Sequence, residues 1–336
     1  MSDQPVILVP LDGMADALPA LSVAKVFSGL EHAAVRILHV AEQASAAAEI
    51  APRLGLAAED LRGASLETRS GEPAAAILAA AGDLHARLIV LCTHTAPGSP
   101  AGKVGGTALS VLRGASCPVI LVNPAQPLQD WRLRKVLLPH EGTSAASDAV
   151  KPGVELARRA DADLLVLLVA APGPASPQAR GSLTSPFYLD QPQHEWPAWA
   201  VEFMERLACI CPLSDLRVRL LLARGSPASE ILRVAREESV DLIILTWKGI
   251  WAPERAETLK AVVREAACPA MVVRVRAGGG SNSPRNSGAA GAPRAAPAAQ
   301  YEQAGWMWRY SKRRSGNTRP ACGWSRGTGC AAPRGA

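Results

Sequence analysis

The stretch "APGSPAGKVGGT" (Ala96–Thr107) is the part of this chain best equipped for chemistry. Glycines let a backbone approach a phosphate closely, and amides at the start of a following helix, with a hydroxyl, can bind its charge. Lys103 adds a cation. The spacing is not that of a P-loop. Gly98, Gly102 and Lys103 make G-x3-G-K followed by Val104, one residue short and without the metal-binding hydroxyl. Two readings stand: a loop with some affinity for phosphate, and a structural loop that binds none. His94 lies beside the loop, but one histidine without a positioned partner is weak ground for acid–base catalysis.

Other reactive constellations are missing from the sequence. It has no G-x-S-x-G elbow, no H-E-x-x-H, and no G-x-G-x-x-G after the first apolar run. Cys209 and Cys211 form a C-x-C pair with no second pair nearby, whereas structural zinc takes four ligands. His194, Glu195 and Trp196 look chemical, yet a loop clamped by aromatics over the sheet or a domain interface explains them as well. Seven cysteines, an odd count, argue against a disulfide framework. No catalytic residue and no metal site is assigned.

The elements that must position the loop come as a duplication. "VILVPLDG" (Val6–Gly13) matches "KVLLPHEG" (Lys135–Gly142), and "VRILHVAE" (Val35–Glu42) matches "ADLLVLLVAA" (Ala162–Ala171). "TRSGEPAAAILAAA" (Thr68–Ala81) matches "LARGSPASEILRVA" (Leu222–Ala235), and "ARLIVLCTH" (Ala86–His94) matches "VDLIILTWK" (Val240–Lys248). "GGTALSVLRGASCPVILV" (Gly105–Val122) matches "AETLKAVVREAACPAMVV" (Ala256–Val273). One order of landmarks, met twice, is an internal repeat. Within each copy strand, helix, strand, helix, strand, helix, strand alternate, which predicts an α/β fold of two tandem doubly wound parallel sheets. In each Cys-Pro phrase the proline opens the final strand, where its missing donor costs least, and the small cysteine packs beneath. Pro10 and Pro139 lie 129 residues apart, but Gly71 and Gly225 lie 154 apart. Copy two therefore carries about 25 extra residues, beginning as a Pro-rich loop and becoming a helix with Trp199, Phe203 and Leu207 on one face.

The organisation predicted is domain one at 1–126, domain two at 127–276 with an inserted segment at 172–200, and a disordered basic tail at 277–336. The chain of 336 residues has a net charge of +6, but the tail holds nine Lys/Arg against Glu302 alone. Removing the tail's +8 leaves residues 1–276 at −2, so charge gives the domains no footing on nucleic acid. The tail's "GWMWRYSKRRSGNTRP" mixes aromatics and cations that could contact nucleic acid or anionic lipid, or it is an extension with no role. No run of about 20 apolar residues predicts a membrane span, and "MSDQPVILVPLDG" does not read as a signal peptide, so a cytoplasmic location is expected. Trp247 and Trp251, in "TWKGIWAPE", are expected to plug copy two's loop or pack against the other domain.

These landmarks resemble the universal stress protein family over Pro5–Asn123 and Arg134–Arg276. The resemblance rests on "ILVPLDG", on His39–Val40 ending the second strand, on the G-x-P before the third helix, and above all on "GGTALSVLRGASCPVILV". It implies a Rossmann-like fold of the adenine nucleotide alpha hydrolase type, and a stress-response binding or signalling protein rather than an ordinary enzyme. It also implies an intramolecular pseudo-dimer joined through the final strands, with a homodimer and unnamed signalling proteins as further partners. One branch of the family binds ATP through G-x-x-G-x9-G-[S/T] and an aspartate ending the first strand. By that resemblance copy one's nucleotide residues would be Asp12, Val40, Thr93, Gly98, Lys103, Gly105, Gly106 and Thr107. Cys92 and Thr95 stand at the first two motif glycines, and Gly106 at the Ser/Thr place. Copy two is a degenerate second site. Glu141 replaces the aspartate, Thr246 the first glycine, Gly249 keeps the second, the loop to Ala256 is three residues short, and Glu257 would repel phosphate. The rivals are a nucleotide-free scaffold and an enzyme, either a weak ATPase or a transferase of related folds.

Overall fold

Runs such as Val6–Leu11 and Leu88–Cys92 are apolar on successive residues, which suits strands covered on both faces. The computed structural model describes residues 4–13, 17–42, 47–93, 105–124, 128, 130–140, 150–170, 200–205, 207–209, 211–213, 215–247, 253–274, 306–311 and 321–326. Copy one supplies β1 (Val6–Leu11), α1 (Leu18–Glu31), β2 (Ala34–Ala41), α2 (Ala47–Arg53), β3 (Ala64–Ser70), α3 (Pro73–Asp83), β4 (Leu88–Cys92), α4 (Gly106–Gly114) and β5 (Val119–Val122). Copy two supplies β6 (Lys135–His140), α5 (Val150–Arg159), β7 (Asp163–Ala170), β8 (Val218–Arg224), α6 (Pro227–Glu237), β9 (Leu242–Trp247), α7 (Pro253–Glu265) and β10 (Ala270–Arg274), with further helical residues at 200–205 and 207–209.

Each copy is a parallel sheet, ordered β3-β2-β1-β4-β5 and β8-β7-β6-β9-β10. The halves join where β5 and β10 pair antiparallel, with Ile120 opposite Met271. The final strands are thus the seam, and one sheet runs through both copies. The strand–helix alternation read from the sequence missed β3 and α2. β3, "ASLETRS", is an edge strand without a fully buried residue, so it lacks the apolar run that marks its neighbours.

Two apolar layers flank the sheet. Ile7, Val9 and Leu11 of β1 face the layer of α1, α2, α5 and residues 200–207, while Leu8 faces the layer of α3, α4, α6 and α7. Both layers run through both copies. The repeated G-x-P has a backbone cause: Gly71 and Gly225 take φ of 115° and 148°, where a side chain is strained. The repeated Cys-Pro is structural. Pro118 and Pro269 each accept a bond from the neighbouring strand, from the amides of Ile89 and Ile243, both at 3.1 Å. Burial pushes the Cys117 thiol up to about 11. Burial, followed by the Asp241 charge, pushes Cys268 up to about 12. Cys92, Cys211 and Cys268 are buried, Cys117 is half-buried and Cys209 is exposed. Iodoacetamide at pH 7.5 should therefore modify Cys209 at least about tenfold faster than these four, read by peptide mass spectrometry. Comparable labelling of Cys268 would contradict this packing.

Part of the tail is ordered into strands. Trp306–Ser311 (β11) and Ala321–Arg326 (β12) form an antiparallel pair, and β11 adds antiparallel to β8. These two segments are therefore not disordered as the composition suggested. β8, "VRLLLAR", is far more apolar than its counterpart β3, and an apolar edge favours a covering strand.

Candidate functional site

In a doubly wound sheet, ligands bind beyond the carboxyl ends of the strands, where the chain switches winding direction. In copy one that point lies between β1 and β4, because β1 leads outward to β2 and β4 leads inward to β5. Asp12 directly follows β1 and is exposed; Thr93 directly follows β4. Val40 is half-buried near the end of β2, one strand beyond. His39 Nδ1–H donates to the Leu11 carbonyl at 2.9 Å, tying the ends of β1 and β2 together beside Asp12.

Thr93 is 9% exposed, and both its amide (2.8 Å) and its hydroxyl (3.3 Å) donate to the Val122 carbonyl. Its hydroxyl hydrogen is thus spent on β5, leaving the oxygen only as an acceptor. The chain returns at Gly105, the N-cap of α4, with Gly106 exposed and Thr107 half-buried in the first turn. No side chain caps this helix. In contrast α3 caps itself, with Glu72 accepting from the amides of Ala74 (3.1 Å) and Ala75 (2.7 Å). A helix start with free amides and no acid is where an anion is held best. The structure brings Asp12, Val40, Thr93, Gly105, Gly106 and Thr107 to the strand carboxyl ends and the start of α4. Gly98 and Lys103 lie outside the described residues, as does His94.

Copy two differs in two ways. Thirteen residues, 93–105, connect β4 to α4, whereas only 248–252 connect β9 to α7. The helix that in copy one begins at Gly106 here begins at Pro253, four residues before Glu257, the counterpart of Gly106. Glu257 is thus not at the helix start as the motif implied. It is exposed within α7, 3.0 Å from Lys260. Glu141, Gly249, Trp251 and residues 171–199 lie outside the described residues. The second difference escaped sequence reasoning. His140 ends β6 where copy one has Leu11, is 6% exposed, and meets the Phe203 ring edge-on at 5.1 Å. Burial pushes His140 down to about 4. The signal was "PHEG" against "PLDG", a buried position holding a titratable group. Phe203 and Leu207 are buried together with Ala200 and Met204, in the layer where copy one has Ile50 and Leu54, so these helical residues cover the His140 end of β6. Trp247, also buried, ends β9 with the Arg274 guanidinium 5.7 Å above its ring.

Among the described residues no group of three or more His, Cys, Asp or Glu could hold a metal ion, and no helix is long and apolar enough to cross a membrane. Comparison with known proteins bears on what this architecture is. Residues 5–123 and 132–274 match the Universal stress protein family. Universal stress protein MJ0531 of Methanocaldococcus jannaschii is 24% identical over 147 residues, 42% of this chain and 82% of that one. Universal stress protein YxiE of Bacillus subtilis is 26% identical over 148 residues, 42% of this chain and 98% of that one. In structure, a universal stress protein from Archaeoglobus fulgidus aligns over 82% of this chain and 98% of its own at a TM-score of 0.60 and 16% identity, a likeness of fold. Two matched segments, two sheets of one order and one antiparallel seam lead to one statement: this chain belongs to the universal stress protein family, with two family domains in tandem.

Proposed function

We propose that the chain is a cytoplasmic stress-response binding protein with a single adenine-nucleotide site, in copy one, and that copy two serves as its closed structural partner. The observation that carries this is the contrast between the two last helices. α4 starts uncapped at Gly105–Gly106–Thr107 beside the switch point, after a long glycine-rich connection. α7 starts earlier, after a short one. In this reading the amides of the first turn of α4 hold the phosphates, Lys103 and Gly98 lie along them, and Asp12 binds the ribose or adenine, with Val40 against the base. No general base is assigned, so the site is read as a sensor and not as an ATPase.

Gly106→Glu tests it, since it puts the Glu257 side chain of copy two at the matching place of copy one. A Cβ on Gly106 meets nothing within 4 Å, and an acid in a helix's first turn is favourable, so the variant should fold. Its charge should weaken ATP binding at least about tenfold by isothermal titration, and Asp12→Ala should weaken it similarly. ATP binding unchanged in both would remove the site from copy one. No binding by the wild-type protein would leave the scaffold reading.

A further inference from the structure

Where α1 and α5 end, the two copies meet in a groove unrelated to the strand carboxyl ends. Leu30 and Arg159 each stand four residues before the first residue of the following strand, Ala34 and Asp163, so they are repeat equivalents; so are Glu31 and Ala160. The groove thus lies on the pseudo-twofold axis relating the copies. Arg159 of copy two bonds Glu31 of copy one, and Arg87 approaches Glu31 at 3.8 Å. Beside this lies a depression of about 580 Å³ lined by Val26, Leu30, Arg132, Leu133, Arg134 and Ala160. A second, of about 450 Å³, shares Leu30 and is lined by Arg87, Arg159 and Glu31 among others. Trp131 stacks on Phe27 of α1, centroids 6.2 Å apart, and so fixes the connector that carries Arg132 and Arg134.

The charges do not balance. Glu31, with Glu155 at 3.7 Å from Arg159, serves Arg87 and Arg159. Arg132 and Arg134 are exposed, and neither guanidinium has an acidic partner among the described residues. Arg159 stands in the last turn of α5, where a cation is favoured by the helix carbonyl end. The floor of the depression, Val26, Leu30, Leu133 and Ala160, is apolar. Two guanidiniums without an acidic partner among the described residues, over an apolar floor, suit a planar anionic head on an apolar body.

We propose that this groove binds a free organic anion of the alkyl or aryl carboxylate class, its head on Arg132 and Arg134 and its body against Val26 and Leu30. The probe is decanoate, with 1-decanol as its neutral counterpart, titrated calorimetrically into the full chain. Expected are one decanoate per chain, no saturable binding of decanol, and at least about tenfold weaker decanoate binding in Arg132→Glu/Arg134→Glu. Both arginines are exposed, so the melting temperature should hold. Val26→Trp, which fills the floor without changing charge, should weaken decanoate as well. No saturation at millimolar decanoate, or equal affinity in the charge-reversed variant, overturns the proposal. So does sedimentation with phosphatidylglycerol vesicles in the absence of decanoate binding, which would make the ligand a membrane surface. ATP binding plays no part in these readouts, so they stand or fall separately from the nucleotide site.

Discussion

Phe203→Ala should cost copy two about 3–5 kcal/mol of stability, the usual range for truncating a fully buried aromatic. The ring is 2% exposed, lies edge-on to His140, and belongs to the same layer as Val136, Leu138 and Leu168. It is carried by the helical residues between β7 and β8, at the place where copy one has α2. Truncation removes the lid from the end of β6 and leaves a cavity that the flanking strands, fixed by their pairing, cannot close. Urea unfolding followed by fluorescence and circular dichroism measures the loss. A change below about 1 kcal/mol would mean that the helical residues 200–207 are laid on the surface and seal nothing.

Acid should weaken the same half through His140. Its folded value is about 4 and its cause is burial, against about 6.5 in an unfolded chain. The folded protein therefore keeps the imidazole neutral while the unfolded chain takes up a proton. The contribution is fully present above about pH 6.5 and is lost as pH falls through 4, amounting to about 3 kcal/mol in all. Urea midpoints of wild type and His140→Leu, compared at pH 7.5 and 4.5, read it out. The variant restores the residue that copy one has at Leu11, and its stability should fall less on acidification than wild type's. Phe203→Ala, by admitting water to the ring, should also reduce the acid loss. An equal acid loss in wild type and His140→Leu would mean that carboxylates elsewhere govern the transition.

Both effects concern the half that sequence reasoning described least well. The fold was legible because the landmark strands are buried on both faces, and their apolar runs recur in one order twice. β3 was not legible, because an edge strand needs only half its residues covered. The strands at β11 and β12 were masked by a tail composition that reads as unpacked, and only the apolar edge of β8 gives them something to pair with. At the proposed site, Asp12 and Gly105–Thr107 were named by resemblance to the family's motif, and they stand after β1 and at the start of α4. Spacing could not show that Thr93 spends its hydroxyl hydrogen on Val122, since that depends on a neighbouring strand contributed from 29 residues away. It also misplaced Glu257, because the start of α7 is decided by the length of the preceding connection rather than by alignment with α4. His140 and Phe203 come together only through tertiary packing.

The central claim is asymmetry: two copies of one fold, with one open site. Native mass spectrometry of the full chain with saturating ATP and magnesium counts bound nucleotides directly. One nucleotide per chain, lost in Gly106→Glu, is the predicted result. Two per chain would show that copy two is open despite its short connection, and none would leave both copies as scaffold.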